Sequence, residues 1–312
     1  MTGRPPLLLL DSAALYYRAF YGVPESVRAP DGTPVNAVRG LLDMIARLVT
    51  ARRPSRLVAC WDDDWRPAFR VDALPSYKAH RVGAEGGEDT PPSLAVQVPV
   101  IVDVLAALGV ARVGAPGFEA DDVIGTLTAR ERAVPDGSRV PVEIVTGDRD
   151  LFQLVDDSGP VRVLYPQRGG AEPEVIDQAR LVAKYAVADG AAYADMAALR
   201  GDPSDGLPGV VGIGEKTAAA LIARFGSLDG VLAALEAGEP GLTATQRSRL
   251  AEARDYLAVA PGVVRVARDI DLGPVADSVP RAPADPEALE ALAERWGLDS
   301  SIARLRAAFA AL

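Results

Sequence analysis

The sequence contains almost no cysteine or histidine, since Cys60 and His80 are the only residues of their kinds among 312. A single cysteine excludes an internal disulfide framework and any zinc site built on cysteine ligands. A single histidine argues against a histidine-rich metal centre and against a His–Asp relay. A metal site in this chain would therefore have to rely on oxygen ligands.

Long hydrophobic runs are also missing, and aromatic residues make up only 5% of the chain. The apolar run at residues 7–10 is too short for a signal peptide, and no run approaches the length of a membrane span. These features predict a cytoplasmic protein with no membrane partner. The hydrophobic and charged fractions, 49% and 24%, are typical of a soluble globular protein whose core rests on aliphatic packing.

The net charge is −10, from 33 basic and 43 acidic residues. An ordinary nucleic-acid-binding domain is basic, so the total charge argues mildly against one. The acidic residues are unevenly distributed, however, and bound cations reverse the sign of a cluster of carboxylates. Net charge alone therefore does not exclude a nucleic-acid substrate.

Short apolar segments alternate with amphipathic ones in the first half of the chain. Residues 7–10, 57–61 and 142–146 read as buried strands, and residues 35–50 and 120–131 have helical periodicity. Strands that alternate with helices predict a mostly parallel central sheet covered by helices on both faces.

The pattern changes to helices alone at about residue 177, which divides the chain into 1–176 and 177–312. Residues 66–92 have little apolar content and no clear period, and loops of that length often form lids or binding elements. Residues 279–286 are rich in proline and alanine and read as a linker.

Acidic residues follow three of the predicted strands, namely Asp11, Asp63 and Asp148. The carboxyl ends of parallel strands share one edge of a sheet, where ligands bind. Carboxylates are the ligands that Mg²⁺ prefers, and two such ions can support phosphodiester cleavage. Without bound cations, repulsion among clustered carboxylates would raise their pKa values and destabilise the fold.

Three further acids, Glu119, Asp121 and Asp122, stand where a helix begins near Ala120. Acidic side chains also favour helix N-termini as caps, so this triplet alone has two equally good explanations. Comparable acids at four other positions favour metal binding.

A glycine-rich stretch from Gly212 to Thr217 opens a later helix, and Asp202 and Asp205 lie just upstream. Backbone N–H groups at such a terminus bind phosphate. The stretch nearly matches a nucleotide-binding P-loop, but Glu215 precedes the lysine and no strand comes before it, which excludes nucleoside triphosphate binding. An ordinary helix start explains the glycines equally well when they are taken alone.

Five blocks of the sequence, at residues 7–15, 63–81, 117–125, 146–154 and 201–217, resemble the 5′-nuclease family. This family includes flap endonucleases, bacteriophage 5′-exonucleases and the N-terminal 5′–3′ exonuclease domain of bacterial DNA polymerase I. The resemblance implies a PIN-like α/β domain with a helical arch at about 66–92. It also implies an all-helical region with a helix–three-turn–helix element.

The resemblance also implies roles for individual residues. Asp63 is preferred over Asp62 and Asp64 as a metal ligand because of its spacing to Phe69 and Arg70. The implied metal ligands are Asp11, Asp63, Glu119, Asp121, Asp122, Asp148, Asp150, Asp202 and Asp205. Lys78 and Arg81 would contact the scissile phosphate with help from Arg18 and Arg70, and the implied DNA contacts are Tyr77, Gly209, Gly212, Gly214, Lys216 and Thr217.

Within the acidic triplet, Asp122 is expected to lean towards Asp148 and Asp150, through metal or through water. Family members commonly have Asn where this chain has Gly206, a change that should be tolerated because Asp205 is retained.

The implied function is a structure-specific 5′ nuclease, a 5′–3′ exonuclease or flap endonuclease, that requires two or more Mg²⁺ ions. Mn²⁺ would substitute, and a K⁺ ion would bind at the glycine-rich loop. The expected partners are DNA with a 5′ flap, 5′ overhang or nick, and RNA–DNA primer ends, bound by a monomer. Three alternatives are a non-catalytic DNA-structure-binding protein on the same fold, a PIN-like ribonuclease, and a phosphatase with Asp11 as nucleophile. The phosphatase motif lacks its second aspartate here.

Overall fold

The computed structural model describes residues 4–312, and a six-stranded sheet forms the centre of their fold. The strands are β1 Leu7–Asp11, β2 Arg56–Cys60, β3 Ala111–Val113, β4 Val142–Val145, β5 Val161–Tyr165 and β6 Glu174–Ile176. Their order is β3-β2-β1-β4-β5-β6, and every pair is parallel except β5 with β6. The mostly parallel sheet is confirmed, whereas β6 was not predicted.

Fourteen α-helices accompany the sheet within residues 4–312. They are α1 Ser12–Gly22, α2 Asn36–Arg52, α3 Ala68–Ala73, α4 Pro92–Ala95, α5 Val98–Leu108, α6 Ala120–Arg132, α7 Gln178–Tyr185, α8 Gly190–Arg200, α9 Glu215–Phe225, α10 Leu228–Glu236, α11 Ala244–Glu252, α12 Arg254–Val264, α13 Pro286–Trp296 and α14 Asp299–Ala310. None of them alone has the length and hydrophobicity of a membrane span, although α9 and α10, bent by 77°, pass that test as a pair.

The central strand β1 is buried on both faces, which explains its unbroken run of leucines. Leu7 and Leu9 pack into the core formed with α6 and the helices from α7 to α12. Leu8 and Leu10 pack into a second core formed with α1, α2, α5, α13 and α14. The sheet is therefore the middle layer between two hydrophobic cores.

Residues 66–92 are less helical than the resemblance implies. They contain α3, with six residues, a 3₁₀ turn at Ala79–Arg81, and an isolated bridge between Val82 and Glu88. Residues 93–108 have a helical pattern in the sequence, and the structure divides them between α4 and α5, with Pro99 in the first turn of α5. Proline fits the first turn of a helix and cannot continue one from before.

The end of the chain returns to the sheet. The Asp277 carbonyl accepts from the Leu57 N–H at 2.7 Å, and its carboxylate binds the Arg56 guanidinium at 2.6 Å. The Asp285 N–H donates to the Ala107 carbonyl at 3.0 Å, and Val279 is buried. Residues 279–286, which were predicted to be a linker, are thus anchored to the sheet domain.

Candidate functional site

Three neighbouring strands, β2, β1 and β4, end at the same edge of the sheet. Asp11, the last residue of β1, lies beside Cys60 of β2, and Thr146 directly follows β4. The Thr146 hydroxyl donates to the Asp11 carboxylate at 2.6 Å and accepts from the Asp148 N–H at 2.8 Å. This threonine, which the sequence analysis did not single out, joins the ends of two strands.

The run of three aspartates after β2 presents Asp62, and not Asp63, to this edge. The Asp62 carboxylate accepts from the Ala120 N–H at 2.7 Å, at the first residue of α6. Asp63 points outward, with a side chain 32% exposed and Arg112 at 3.4 Å. The structure therefore contradicts the choice of Asp63 over Asp62, because only Asp62 is directed towards the start of α6 at this edge.

Glu119, the N-cap residue of α6, is bonded by three side chains. Its carboxylate accepts from the Arg70 guanidinium at 2.6 Å and the Tyr77 hydroxyl at 2.7 Å, and it pairs with the Lys78 ammonium. Arg70 and Tyr77 are 2% and 5% exposed, so both hold Glu119 from inside the protein. The predicted phosphate contact of Arg70 and DNA contact of Tyr77 are corrected to supporting roles.

Asp122 faces away from Asp148 and Asp150, contrary to expectation. Its two oxygens accept from the Arg70 guanidinium at 2.6 and 2.7 Å. They also accept the N–H groups of Glu119 at 3.2 Å and Ala267 at 2.8 Å. A fully buried carboxylate with these four donors is a structural ion pair and helix cap, so it has no free oxygen for a metal.

We call Asp11, Asp62, Glu119 and Asp121 the first acid group. Burial raises the pKa of Asp11 to about 6, and the charge of Asp148 adds to the rise. Burial also raises the pKa of Asp62 to about 7, with further contributions from Asp11 and Glu119. The pKa of Asp121 is raised by burial and then by Asp11 and Asp148. These carboxylates repel one another in a site that excludes water.

We call Asp148, Asp150, Asp202 and Asp205 the second acid group. Burial raises the pKa of Asp150, and the charges of the other three raise it further. The Asp150 N–H donates to the Asp148 carboxylate at 2.9 Å, and Asp202 accepts from the Ser204 N–H at 2.8 Å. The loop after α8 therefore brings Asp202 and Asp205 to the acids that follow β4.

Residues 75–81 are held against that loop. The Lys78 N–H donates to the Asp205 carbonyl at 2.9 Å, and the Arg81 guanidinium donates to the Asp205 carboxylate at 2.6 Å. Gly206 has a φ of +75°, and a Cβ there would stand 2.0 Å from the Ser76 carbonyl oxygen. The glycine thus permits the close approach that places Lys78 between the two acid groups.

Two family models cover most of the chain. The model described as "5'-3' exonuclease, N-terminal resolvase-like domain" matches residues 6–186, and "5'-3' exonuclease, C-terminal SAM fold" matches residues 188–287. The chain belongs to the 5′–3′ exonuclease family. It is therefore a nuclease built from a resolvase-like domain and a helical SAM-fold region.

Two relatives in this family match nearly end to end. A 5′–3′ exonuclease of Streptomyces coelicolor is 61% identical over 303 residues, covering 96% of this chain and 98% of the relative. A 5′–3′ exonuclease of Mycobacterium tuberculosis is 51% identical over 317 residues, covering 98% of each.

A solved structure has the same fold. It is the bacteriophage T5 D15 flap endonuclease in a pseudo-enzyme–product complex with DNA and metal ions, with a TM-score of 0.62 and 17% identity. The match covers 97% of this chain and 99% of that one.

The acids of this exonuclease-family chain fit divalent metal by their chemistry. Asp11, Asp62, Asp121, Asp148 and Asp150 form no ion pair with any basic side chain among residues 4–312. Buried carboxylates of this kind require a cation or a proton. As placed, no three acidic, histidine or cysteine side chains in the described part of the chain could hold one cation together. Lys78 on Glu119 and Arg81 on Asp205 occupy oxygens that a metal would use.

Some of the residues that were predicted to contact DNA from the glycine-rich loop and the start of α9 are exposed to solvent. Gly212, Gly214 and Lys216 are exposed, and nothing lies within 4 Å of a Cβ built at either glycine. Thr217 is half-buried. A Cβ at Gly209 would stand 2.3 Å from the Arg200 carbonyl oxygen, so this glycine serves backbone packing and is corrected to a structural role.

Side-chain contacts also describe Arg18, which was predicted to help at the scissile phosphate. Arg18 donates to the Gln167 carbonyl and lines a separate cavity of about 800 Å³ between α1, α2 and residues 166–173. His80, on the approach to the arch, is exposed.

Gln153 and Arg200 were missed by sequence reasoning. The Gln153 amide donates to the Asp150 and Val264 carbonyls, both at 2.9 Å, and accepts from the Val266 N–H at 3.0 Å. It therefore joins the second acid group to the segment after α12. No local signal in the sequence reveals such a role, because Val264 and Val266 are more than 100 residues away.

Proposed function

We propose that this chain hydrolyses DNA phosphodiesters near single-strand/duplex junctions and that the reaction depends on Mg²⁺. The observation that carries the proposal is the meeting of two acid groups at the carboxyl edge of the sheet, with Lys78 between them. Substrates with a 5′ flap, a 5′ overhang or a nick present a phosphate that a cationic side chain at this position can reach. RNA–DNA primer ends belong to the same class of substrate.

The metal would be held by Asp11, Asp62, Glu119 and Asp121, with Asp148 and Asp150 for a second ion. When bound, Mg²⁺ supplies charge compensation for the phosphate and lowers the pKa of a coordinated water, and Mn²⁺ supplies the same chemistry. Thr146, Arg70 and Tyr77 orient the carboxylates through the hydrogen bonds described above.

Lys78 is the residue that we expect to contact the scissile phosphate. Its ammonium is mostly buried and paired with Glu119, so a phosphate would exchange places with that carboxylate. Burial alone would lower the pKa of Lys78, but Glu119, Tyr77 and Asp205 raise it well above its usual value. The side chain is therefore charged throughout the physiological range. Its φ of +47°, rare for a lysine, aims the side chain at the first acid group.

The duplex would be gripped by the exposed glycine-rich loop and the first turn of α9. Gly212, Gly214 and Lys216 offer backbone N–H groups and one ammonium to phosphates, with a K⁺ ion at the same loop. Such contacts recognise structure and not sequence, and binding should weaken as salt increases. The chain would act as a monomer.

A labelled 5′-flap duplex incubated with Mg²⁺, Mn²⁺ or EDTA tests the proposal, with the products mapped to the nucleotide. We expect cleavage at the junction with either ion and none in EDTA. Binding without cleavage under all three conditions would favour a non-catalytic DNA-structure-binding protein. Faster cleavage of an all-RNA flap of the same shape would favour a PIN-like ribonuclease. The Asp121→Asn variant, purified in parallel, controls for contaminating nucleases.

A further inference from the structure

Arg200, the last residue of α8, directs a nearly buried guanidinium into the second acid group. Its side chain is 13% exposed, and its Nη2 atom is buried without a hydrogen-bond partner. The nearest acid to Nη2 is Asp202, at 3.8 Å, which is too long for a hydrogen bond. The hydroxyl of Tyr193, also buried and without a hydrogen-bond partner, lies close to the Arg200 guanidinium.

The remaining donors of Arg200 hold it in place. Nε donates to the Gly201 carbonyl at 3.1 Å, and Nη1 donates to Glu215 at 3.2 Å. Glu215 is in the first turn of α9, the helix that follows the glycine-rich loop. The guanidinium is thus fixed between the second acid group and the proposed duplex-binding loop.

An arginine stays protonated when buried, so this position carries a permanent positive charge. At 3.8 Å from the Asp202 carboxylate, this charge acts on the second acid group. The first acid group has a different cation, the Lys78 ammonium, on a side chain that a phosphate can draw away.

We propose that Arg200 is a fixed counter-cation of the second acid group, and that its charge lowers the affinity of this group for a divalent cation. The inference rests on the proposed metal function and extends it. A divalent ion beside Asp150 and Asp202 must share their negative charge with the guanidinium, and like charges a few ångströms apart repel. Arg200 is a positioning residue here, since it acts through the carboxylates.

The test is Mn²⁺ binding to the DNA-free protein, measured by isothermal titration calorimetry, for wild type, Arg200→Met, Arg200→Lys and Arg249→Met. Methionine keeps the length of the side chain without its charge, and Arg249, on the exposed face of α11, is the matched control. We expect Arg200→Met to bind the more weakly held Mn²⁺ ion, the one at the second acid group, about tenfold more tightly than wild type. Arg200→Lys, which keeps the charge, and Arg249→Met should stay within about twofold of wild type.

A gain in affinity separates this role from a purely structural one, because a damaged site binds metal more weakly. If Arg200→Met destabilises the protein, the shift of its unfolding temperature on adding Mn²⁺ still reports the affinity, and it should exceed the shift of wild type. An unchanged or weaker second site in Arg200→Met overturns the inference. Absence of any Mn²⁺ binding by wild type would instead overturn the proposed metal function, and this inference with it.

Discussion

The first and second acid groups lie at the same sheet edge but are built from different kinds of structure. The first stands on the ends of β1 and β2 and the first turn of α6, and its Glu119 is held by Arg70 and Tyr77. Half of the second comes from the loop after α8. Rigid elements position ligands more accurately than loops do, so the first group should be the one that chemistry depends on most.

The cations that accompany the two groups differ in the same way. Lys78 reaches the first group on a flexible side chain, whereas Arg200 is fixed beside the second by Gly201 and Glu215. In the function that we propose, a phosphate would replace Glu119 as the partner of Lys78, whereas nothing need displace Arg200. The first group would then exchange its cation for substrate, and the second would keep its own.

The largest expected effect compares Asp121→Asn with Asp150→Asn. We expect Asp121→Asn to slow single-turnover cleavage of a 5′-flap duplex by about 10³-fold or more, and Asp150→Asn by about 10²-fold. Both should bind the duplex within about threefold of wild type, because phosphate contacts elsewhere carry the affinity. Asp103→Asn, on the exposed face of α5, is the control. Equal losses at the two positions would contradict the difference between the groups.

A second comparison lies within the first group, between Asp62→Asn and its neighbour Asp63→Asn. Loss of the buried Asp62 carboxylate should slow cleavage by about 10²-fold. Loss of the exposed Asp63 carboxylate should change the rate by less than about twofold. The two variants have the same composition and net charge, so each controls for the other. The reverse ranking, measured in the same single-turnover assay, would restore the assignment made from sequence.

These two aspartates show where sequence reasoning succeeded and where it stopped. Strands followed by acids were enough to predict the parallel sheet and the meeting of Asp11 with Asp148, because period and topology fix those positions. The identity of one ligand among three consecutive aspartates depends on where β2 ends, and element boundaries are the least certain part of such predictions.

The roles predicted for Asp122, Tyr77 and Gly209 differ from their contacts in the structure for another reason. Asp122 and Tyr77 are bonded to residues far away in the chain, Ala267 and Glu119, and Gly209 packs against the Arg200 carbonyl. Conserved-looking motifs mix residues that touch substrate with residues that hold others in place, and only the fold separates them. Gln153 was missed because its partners Val264 and Val266 are equally remote, and Arg200 because its partner Glu215 belongs to the next helix.

The pH dependence of stability should reveal the charge of the first group in the absence of metal. The pKa of Asp62 is about 7 in the folded protein and near 3.8 in the unfolded chain. Between these values the folded state binds the extra proton, so stability is greatest at low pH and falls as the pH rises. The titration of this carboxyl should lower the free energy of unfolding by about 2 kcal/mol between pH 5 and pH 7.

Urea unfolding in EDTA at both pH values measures this loss. Asp62→Asn should flatten the dependence, and saturating Mg²⁺ should do so in wild type, because the bound ion compensates the carboxylates at neutral pH. Asp63→Asn again serves as the matched control. A wild-type protein that is equally stable at pH 5 and pH 7 in EDTA would show that the first group is already neutralised by Lys78 and Arg70.

The smallest expected effect is that of Lys216, an exposed residue in the first turn of α9. Lys216→Gln should weaken binding to the duplex by about threefold at moderate salt and reduce the slope of log affinity against log salt by about one, as expected for one lost phosphate contact. Lys184→Gln, at an exposed lysine of α7 that pairs with Glu174, is the control and should leave the slope unchanged. Fluorescence anisotropy in Ca²⁺ across a salt series measures both. Cleavage at saturating enzyme should stay at the wild-type rate, because in the proposed function this lysine binds the duplex and the two acid groups perform the chemistry. A slower rate would mean that the first turn of α9 also positions the second acid group, through Glu215 and Arg200.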